Sequence, residues 1–287
     1  MIPDTGVRGS KTAAVPQTFG PSAHHIGKIG QMNRSNHPRS NICYVTCKMS
    51  DYWYFEQGSS AQAVRADDAI WCFDRLGEAI RETVRFERVS AYKQEPFPAL
   101  GAVDGVIVGG SEYMLSEGCD PWVERLMGFV RQAAAHNKPV LGICFGHQLL
   151  ARTFGAGVER RRPSEVGSLT IHIDTAGRDD LLFEGVDDAF QAHLFHGDFV
   201  TKLGSRVTAL ARSSGHANQA IAIGDTIRGV QFHPEFTTEL MQTLLGIRRE
   251  ALTREGLNVD AIARGVGPTP AATRVLENFI RHFVRGE

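Results

Sequence analysis

The sequence lacks the features that mark several protein classes. It has no run of the roughly 18 apolar residues that a membrane helix needs, so we expect no membrane partner. It has only five cysteines in 287 residues, an odd number at irregular spacing, which excludes a disulfide-stapled fold. Lys and Arg total 31 against 32 Asp and Glu, so there is no basic field for nucleic acid. The N-terminal stretch has no apolar segment of the signal-peptide kind, and a cytoplasmic location is therefore expected.

The first 39 residues differ from the rest in composition. They are rich in Gly, Pro, Ser, Thr, Asn and His, and their few apolar residues show no helical or strand period. Such a stretch buries too little apolar surface to offset its ordering entropy. The sequence therefore predicts a flexible leader over 1–39 and a folded domain over 40–287, with 246–287 as a helical C-terminal extension packed on it.

Apolar strands alternate with amphipathic helices from residue 41 onward. The patterns predict the following elements: strands at 41–47, 86–92, 104–110 and 138–144, helices at 62–84, 121–136 and 148–154, and, after Gly157, shorter strands at 169–173, 189–195, 207–213, 220–223 and 229–232. A mostly helical tail follows from about 237. This alternation is typical of a doubly wound α/β domain with a mixed, mainly parallel sheet and flanking helices.

One short motif carries the chemistry of a nucleophile. Cys144 is flanked by Gly142 and Gly146 where a predicted buried strand turns directly into a helix. A sharp strand-to-helix turn strains its central residue and leaves no room for side chains two positions away on either side. The helix N-terminus would also favour the thiolate. The alternative is an inert buried thiol, which is the default for Cys43, Cys47, Cys72 and Cys119.

A thiol nucleophile needs a base, and the base needs an orienting group. His233 and Glu235 lie at the end of the strand in GVQFHPE, with a proline between them that stiffens the turn. We therefore predict a Cys144–His233–Glu235 triad. His147 could be mistaken for the base, but it lies on the start of the helix and is expected to point away from the sulfur. His193 and His196 lie three apart on a strand, face opposite sides and are predicted to make structural hydrogen bonds rather than bind a metal.

The blocks LGICFGHQLLARTFG and GVQFHPE, with His196-Gly-Asp198 and Asn218-Gln-Ala220 between them, resemble the class I (triad-type) glutamine amidotransferases. The likeness covers about residues 41–245 and is nearest to free-standing amidotransferase domains of the GMP-synthase type. It implies a flavodoxin-like core, hydrolysis of the glutamine γ-amide through a cysteine thioester, and no metal or cofactor. It also implies a separate ammonia-accepting synthetase as a partner.

The resemblance also implies further site residues. The backbone amides of Gly110 and Phe145 would form the oxyanion hole. The substrate contacts would come from Gln148, Phe195, Gly197 and Asp198, with Gly197 and neighbouring backbone holding the α-amino and α-carboxylate groups.

Three functions remain open at this point. The first is a glutaminase that supplies ammonia to a separate acceptor enzyme. The second is a γ-glutamyl peptidase or hydrolase that uses the same triad on a bulkier leaving group. The third is a non-catalytic binding module, which a complete Cys144/His233/Glu235 set disfavours.

Overall fold

The computed structural model describes residues 39–57 and 60–287, so the predicted leader lies outside the described residues except for Arg39. The strands are β1 (Ser40–Thr46), β2 (Tyr52–Gln57), β3 (Ser60–Arg65), β4 (Val84–Ser90), β5 (Gly105–Val108), β6 (Val140–Ile143), β7 (Val158–Ile173), β8 (Ala189–Val200), β9 (Val207–Arg212), β10 (Ala220–Ile223) and β11 (Ile227–Val230). The helices are α1 (Asp68–Arg75), α2 (Glu78–Arg81), α3 (Pro121–Ala135), α4 (Phe145–Thr153), α5 (Thr175–Arg178), α6 (Thr238–Arg254), α7 (Val259–Gly265) and α8 (Pro270–Asn278), and a π-helical segment (Phe279–Arg285) follows α8.

One large sheet organises the domain, and its strand order is β4-β1-β5-β6-β11-β10-β9-β7-β8. The strands from β4 to β11 pair in parallel, and the remaining pairings are antiparallel. The parallel part has the flavodoxin order, in which the first strand lies between the second and the third. The predicted mixed α/β sheet is therefore confirmed.

The two faces of the sheet bury separate cores because side chains alternate along each strand. Ile42 and Tyr44 of β1 face a core with α1, α8 and the π-helical segment, and Cys43 and Val45 face a core with α3 and α4. A third apolar cluster joins α6 to Val166 and Phe236. Helices thus cover both faces, and the carboxyl ends of the parallel strands form an open edge.

The single helix predicted over 62–84 is only partly correct. Its first residues belong to a β2–β3 hairpin, which pattern analysis missed, and the rest divides into α1 and α2. The helix ends because Leu76 adopts an extended backbone conformation, and the Gly77 amide donates to the Glu277 carboxylate at 2.8 Å. This contact joins segments far apart in the chain, so local periodicity carries no sign of it.

Smaller differences concern element bounds. The helix predicted at 148–154 begins earlier, at Phe145. The strand predicted at 169–173 is the end of the much longer β7, whose first half is rich in Arg and Glu and therefore lacks an apolar pattern. The strand predicted at 86–92 lies at Val84–Ser90.

Candidate active site

The candidate site lies at the carboxyl ends of β5, β6 and β11, which are neighbours in the sheet. Gly110 follows β5, Cys144 follows β6 and His233 follows β11. The Cys144 amide donates to the Val230 carbonyl at 2.9 Å, so the backbone ladder continues to the nucleophile. The crevice outside the carboxyl ends of an open α/β sheet is the usual ligand position in such folds.

Cys144 adopts the strained turn that the sequence predicts. Its φ of 52° and ψ of −102° place it outside the regions that L-residues usually occupy, at a cost of about 1–3 kcal/mol. A Cβ on Gly142 would lie 2.5 Å from the Gly146 carbonyl carbon, and a Cβ on Gly146 would lie 2.1 Å from the Val108 oxygen. Both glycines are therefore required by the close approach of backbone at the elbow.

His233 lies between the two other predicted triad members. Its Nδ1 is 2.8 Å from the Glu235 Oε1, and Cys144 is close enough to act electrostatically on the ring. Burial disfavours the charged imidazole, but the negative charges of Glu235 and Cys144 and the hydrogen bond to Glu235 outweigh it. They raise the pKa of His233 to about 10. An imidazolium beside the sulfur stabilises the thiolate that a cysteine nucleophile needs.

The His233 ring is also held from its face. It stacks on Phe236 with ring centroids 3.9 Å apart and planes at 10°. Phe236 belongs to the apolar cluster that α6 shares with Val166. Packing and the Glu235 hydrogen bond therefore fix the ring in one orientation.

Gly110 faces the predicted nucleophile and base. A Cβ there would lie 3.4 Å from the His233 Cε1 and 3.8 Å from the Cys144 Cβ. Phe145 occupies the first position of α4, where a helix N–H has no intrahelical partner. The two backbone segments expected to form an oxyanion hole thus flank the sulfur.

Sequence reasoning missed Lys48. This residue is 7% exposed and lines a cavity together with Cys144 and His233. Its Nζ would lie 3.6 Å from a Cβ on Gly110, and it is 4.0 Å from the Glu112 Oε1. Burial lowers the pKa of Lys48, but nearby negative charges, chiefly those of Glu112 and Asp68, raise it above its usual value. The only sequence signal for Lys48 was its position directly after an apolar strand, where a lysine is expected to be buried. A buried lysine is almost always paired with a negative group.

The predicted substrate-contact residues lie together, but in different settings. Gln148, Phe195, Gly197 and Asp198 all line a cavity of about 320 Å³ that contains Cys144 and His233. The Gln148 Nε2 donates to the Asp198 carbonyl at 2.9 Å and to the Gln231 Oε1 at 3.1 Å. The Asp198 carboxylate accepts from the Ser116 amide at 2.9 Å and from its hydroxyl at 2.6 Å. Gly197 is covered by the Arg160 guanidinium, which the sequence reasoning did not anticipate.

Helix α6 forms the outer wall of this cavity. Leu244, Ile247, Ala251 and Leu252 present an apolar surface, and Arg248 lies beside it. Glu255, directly after α6, accepts from Arg160 and from the Ser164 amide, both at 2.8 Å. The helix is therefore fastened across the cavity opening at its C-terminal end.

The remaining histidines lie outside the triad. His147 is fully buried, and burial lowers its pKa to about 3. A Cβ on Gly229 would lie 2.9 Å from the His147 Nδ1, which places this ring against β11. His193 pairs with the Ser168 hydroxyl at 3.1 Å, and His196 pairs with Glu165 at 3.1 Å. These are hydrogen bonds of the kind predicted for the pair.

Residues 39–57 and 60–287 offer neither a metal site nor a membrane span. No group of three or more His, Cys, Asp or Glu in this part of the chain could hold a metal ion. Among the same residues, no helix is long and apolar enough to cross a membrane.

Comparison with known proteins adds independent information. The profile of the family "Glutamine amidotransferase class-I" matches residues 73–246. A glutamine-hydrolyzing GMP synthase subunit of Sulfolobus acidocaldarius is 33% identical over 151 residues, which cover 52% of this chain and 76% of that protein. Gamma-glutamyl peptidase 4 of Arabidopsis thaliana is 30% identical over 141 residues, which cover 48% of this chain and 56% of that protein.

The structural comparison agrees on the fold. A glutamine amidotransferase from Thermotoga maritima superimposes with a TM-score of 0.65 at 18% identity, covering 86% of this chain and 98% of that one. Some curated relatives are much longer, and the matched region spans only 24% of one GMP synthase.

Proposed function

The chain belongs to the class I glutamine amidotransferase family, and we propose that it hydrolyses the γ-carboxamide of L-glutamine to glutamate and ammonia, with the ammonia passing to a separate acceptor enzyme. One observation carries the proposal: Cys144 and His233 line one cavity at the ends of neighbouring strands, and His233 is hydrogen-bonded to the buried Glu235. The relative from Sulfolobus acidocaldarius, named as one subunit of GMP synthase, supports a separate synthetase as the partner.

In the proposed mechanism the Cys144 sulfur attacks the γ-carbonyl carbon and forms a tetrahedral oxyanion. The amides of Gly110 and Phe145 donate hydrogen bonds to that oxygen, a contribution that is usually the largest single one in acyl transfer. His233 gives a proton to the departing nitrogen, and the C–N bond breaks to leave a γ-glutamyl thioester and ammonia. His233 then takes a proton from water, which attacks the thioester and releases glutamate, while Glu235 keeps the imidazole oriented.

The free state of the cysteines supports a reducing, cytoplasmic site of action. All five, including Cys144, are free thiols. Cytoplasmic proteins keep their thiols reduced, and a cysteine nucleophile depends on that state.

A γ-glutamyl peptidase is the second candidate, and the apolar wall of α6 favours it. Leu244 belongs to the same apolar cluster as Phe236, which stacks on the ring of the proposed proton donor. The wall therefore adjoins the side from which the leaving group departs. Ammonia has no apolar surface to bury there, whereas the amine of a γ-glutamyl dipeptide does.

Steady-state kinetics on the purified chain test both candidates. The proposed function requires release of ammonia and glutamate from L-glutamine, lost in Cys144→Ala. A kcat/KM for γ-glutamyl-leucine well above that for L-glutamine would establish the peptidase instead. Absence of Cys144-dependent turnover with either substrate would contradict both.

A further inference from the structure

We propose that Arg160 binds the α-carboxylate of the γ-glutamyl substrate and so restricts the enzyme to γ-glutamyl compounds whose α-carboxylate is free. This inference rests on the proposed function, because it concerns the same cavity. It assigns the contact to a side chain, whereas the sequence resemblance implies backbone near Gly197.

A break in β7 places Arg160 at the cavity. Arg160 pairs in register with Asp198 of β8, but the next pairing is Glu165 with His196, so the residues between bulge away from the ladder. Arg160 and Ser164, at the two ends of the bulge, both line the cavity. A Cβ on Gly197 would lie only 1.2 Å from the Arg160 Nη1, so the guanidinium lies directly on the bare backbone of this glycine.

The guanidinium is held in place but keeps donors available. Its Nη2 donates to the Glu255 Oε1 at 2.8 Å and lies 3.5 Å from the Ser164 hydroxyl. Among the described residues, neither Nη1 nor Nε has a hydrogen-bond partner. The side chain is 28% exposed, so it is partly withdrawn from solvent while facing the cavity. A planar guanidinium fixed at one nitrogen can still bind a carboxylate through the others.

The Asp198 carboxylate, which belongs to the residue paired with Arg160 in the β7–β8 ladder, does not bind the Arg160 guanidinium. Asp198 lies opposite Arg160, yet both of its oxygens accept hydrogen bonds from Ser116. Arg160 forms its ion pair with Glu255 instead. Arg160 therefore keeps the N–H donors of Nη1 and Nε for a ligand on the face formed by Gly197, while Nη2 pairs with Glu255.

Arg160 lines the same cavity as Cys144 and His233. The leaving-group side of Cys144 is taken by His233 and the Phe236 ring stacked on it. In the proposed binding mode, a γ-glutamyl chain bound to Cys144 extends its α-carbon away from that side, toward Gly197, which lines the same cavity. Gly197 is where Arg160 presents its Nη1.

The test compares L-glutamine with 4-aminobutanamide, which is glutamine without the α-carboxylate. A charge-assisted hydrogen bond corresponds to a change of about 10- to 100-fold. Arg160→Gln should raise the KM for L-glutamine by that factor with a much smaller change in kcat, and should leave kcat/KM for 4-aminobutanamide unchanged. Arg160→Lys should restore part of the loss. Arg161→Gln, which removes a neighbouring exposed arginine, is the matched control and should resemble the wild type.

An equal loss with both substrates would overturn the assignment, since it would mark Arg160 as structural. Calorimetric titration of L-glutamine into the Cys144→Ala chain makes the test independent of turnover. Binding must weaken by about tenfold or more when Arg160→Gln is added, and equal binding, or no binding to either chain, overturns the assignment. Arg160-dependent binding without hydrolysis by the wild type would instead contradict the proposed function alone.

Discussion

The Ser111 hydroxyl donates a hydrogen bond to the Cys47 carbonyl at 2.6 Å. Two further contacts join the same segments, since the Gly109 amide donates to the Val45 carbonyl at 3.0 Å and the Met49 amide donates to Glu112 at 3.4 Å. The residues before and after Gly110 are thus hydrogen-bonded to the end of β1 and to the residues that follow it. An oxyanion donor at Gly110 would be pre-positioned before substrate arrives.

Ser111→Ala should therefore reduce kcat for L-glutamine by about tenfold or more, because a misplaced oxyanion donor removes transition-state stabilisation. KM should change little, since the Ser111 contact positions the Gly110 amide, and that amide binds the oxygen only in the tetrahedral state. The exposed Ser214→Ala provides a control for loss of a hydroxyl elsewhere. A rise in KM with unchanged kcat would place Ser111 in ground-state binding instead.

A glutamine-like chloroketone should label Cys144 alone among the five cysteines. Burial raises the pKa of the Cys43 thiol to about 12, and it raises the pKa values of Cys47, Cys72 and Cys119 as well. Their thiolates are therefore scarce at neutral pH. Peptide mapping by mass spectrometry locates the label, with Cys119→Ala as the control that should be labelled normally. Label on any other cysteine would remove Cys144 from its proposed role.

His233 should remain protonated at pH values where His193 and His216 are neutral. Its pKa of about 10 lies above the ordinary value, so its charged form persists through pH 8, whereas burial lowers the pKa values of His193 and His216 to about 4. Glu235→Gln removes the negative charge that favours the imidazolium and should lower the pKa of His233. Nitrogen-15 NMR of the imidazoles against pH measures both effects. An unchanged His233 titration in Glu235→Gln would show that Glu235 does not act on it.

The kinetic effect of the same two residues should be unequal. Loss of the imidazole in His233→Ala removes the proton transfer and should cost about 10³-fold or more in kcat, while Glu235→Gln leaves a misoriented base and should cost less. His147→Ala is the informative comparison, because this histidine adjoins the elbow but lies against β11. Activity abolished by His147→Ala and kept in His233→Ala would reverse the assignment of the base.

Gly146→Ala should destabilise the protein by about 1–3 kcal/mol or more, because its Cβ would overlap the Val108 carbonyl and force the backbone to shift. Gly128→Ala is the matched control within α3, where an added Cβ meets nothing within 4 Å. That change should stabilise by about 0.5–1 kcal/mol through helix propensity. Urea unfolding followed by circular dichroism gives both values, and equal effects would contradict the close packing at the elbow.

The elbow could be predicted from sequence because its requirements are local. Gly142, Cys144 and Gly146 lie within five consecutive positions, and the conformation of the turn alone demands them. The parallel strands β5 and β6 were likewise visible as short apolar runs, since burial on both faces leaves a continuous signal.

The contacts of Lys48 and Arg160 could not be predicted in the same way. Lys48 meets Glu112, and Arg160 meets Glu255, across long stretches of chain. Only the folded sheet brings these partners together, and a charged residue in sequence is by default a solvated one. The hairpin β2–β3 was missed for a related reason, because its second strand continues smoothly into the apolar pattern of α1.

The register of β6 with β11 has a consequence for how the protein fails. Gly142 pairs with Gly229 and Ile143 with Val230, so the separation of sulfur and imidazole is set by the central hydrogen-bond ladder. The innermost strands of a domain usually open only when the whole structure does. Loss of activity on heating should therefore follow the same curve as loss of the sheet, and the amide proton of Cys144 should exchange with solvent as slowly as the slowest in the molecule. The fraction of activity that remains at each temperature should therefore equal the fraction of molecules that remain folded.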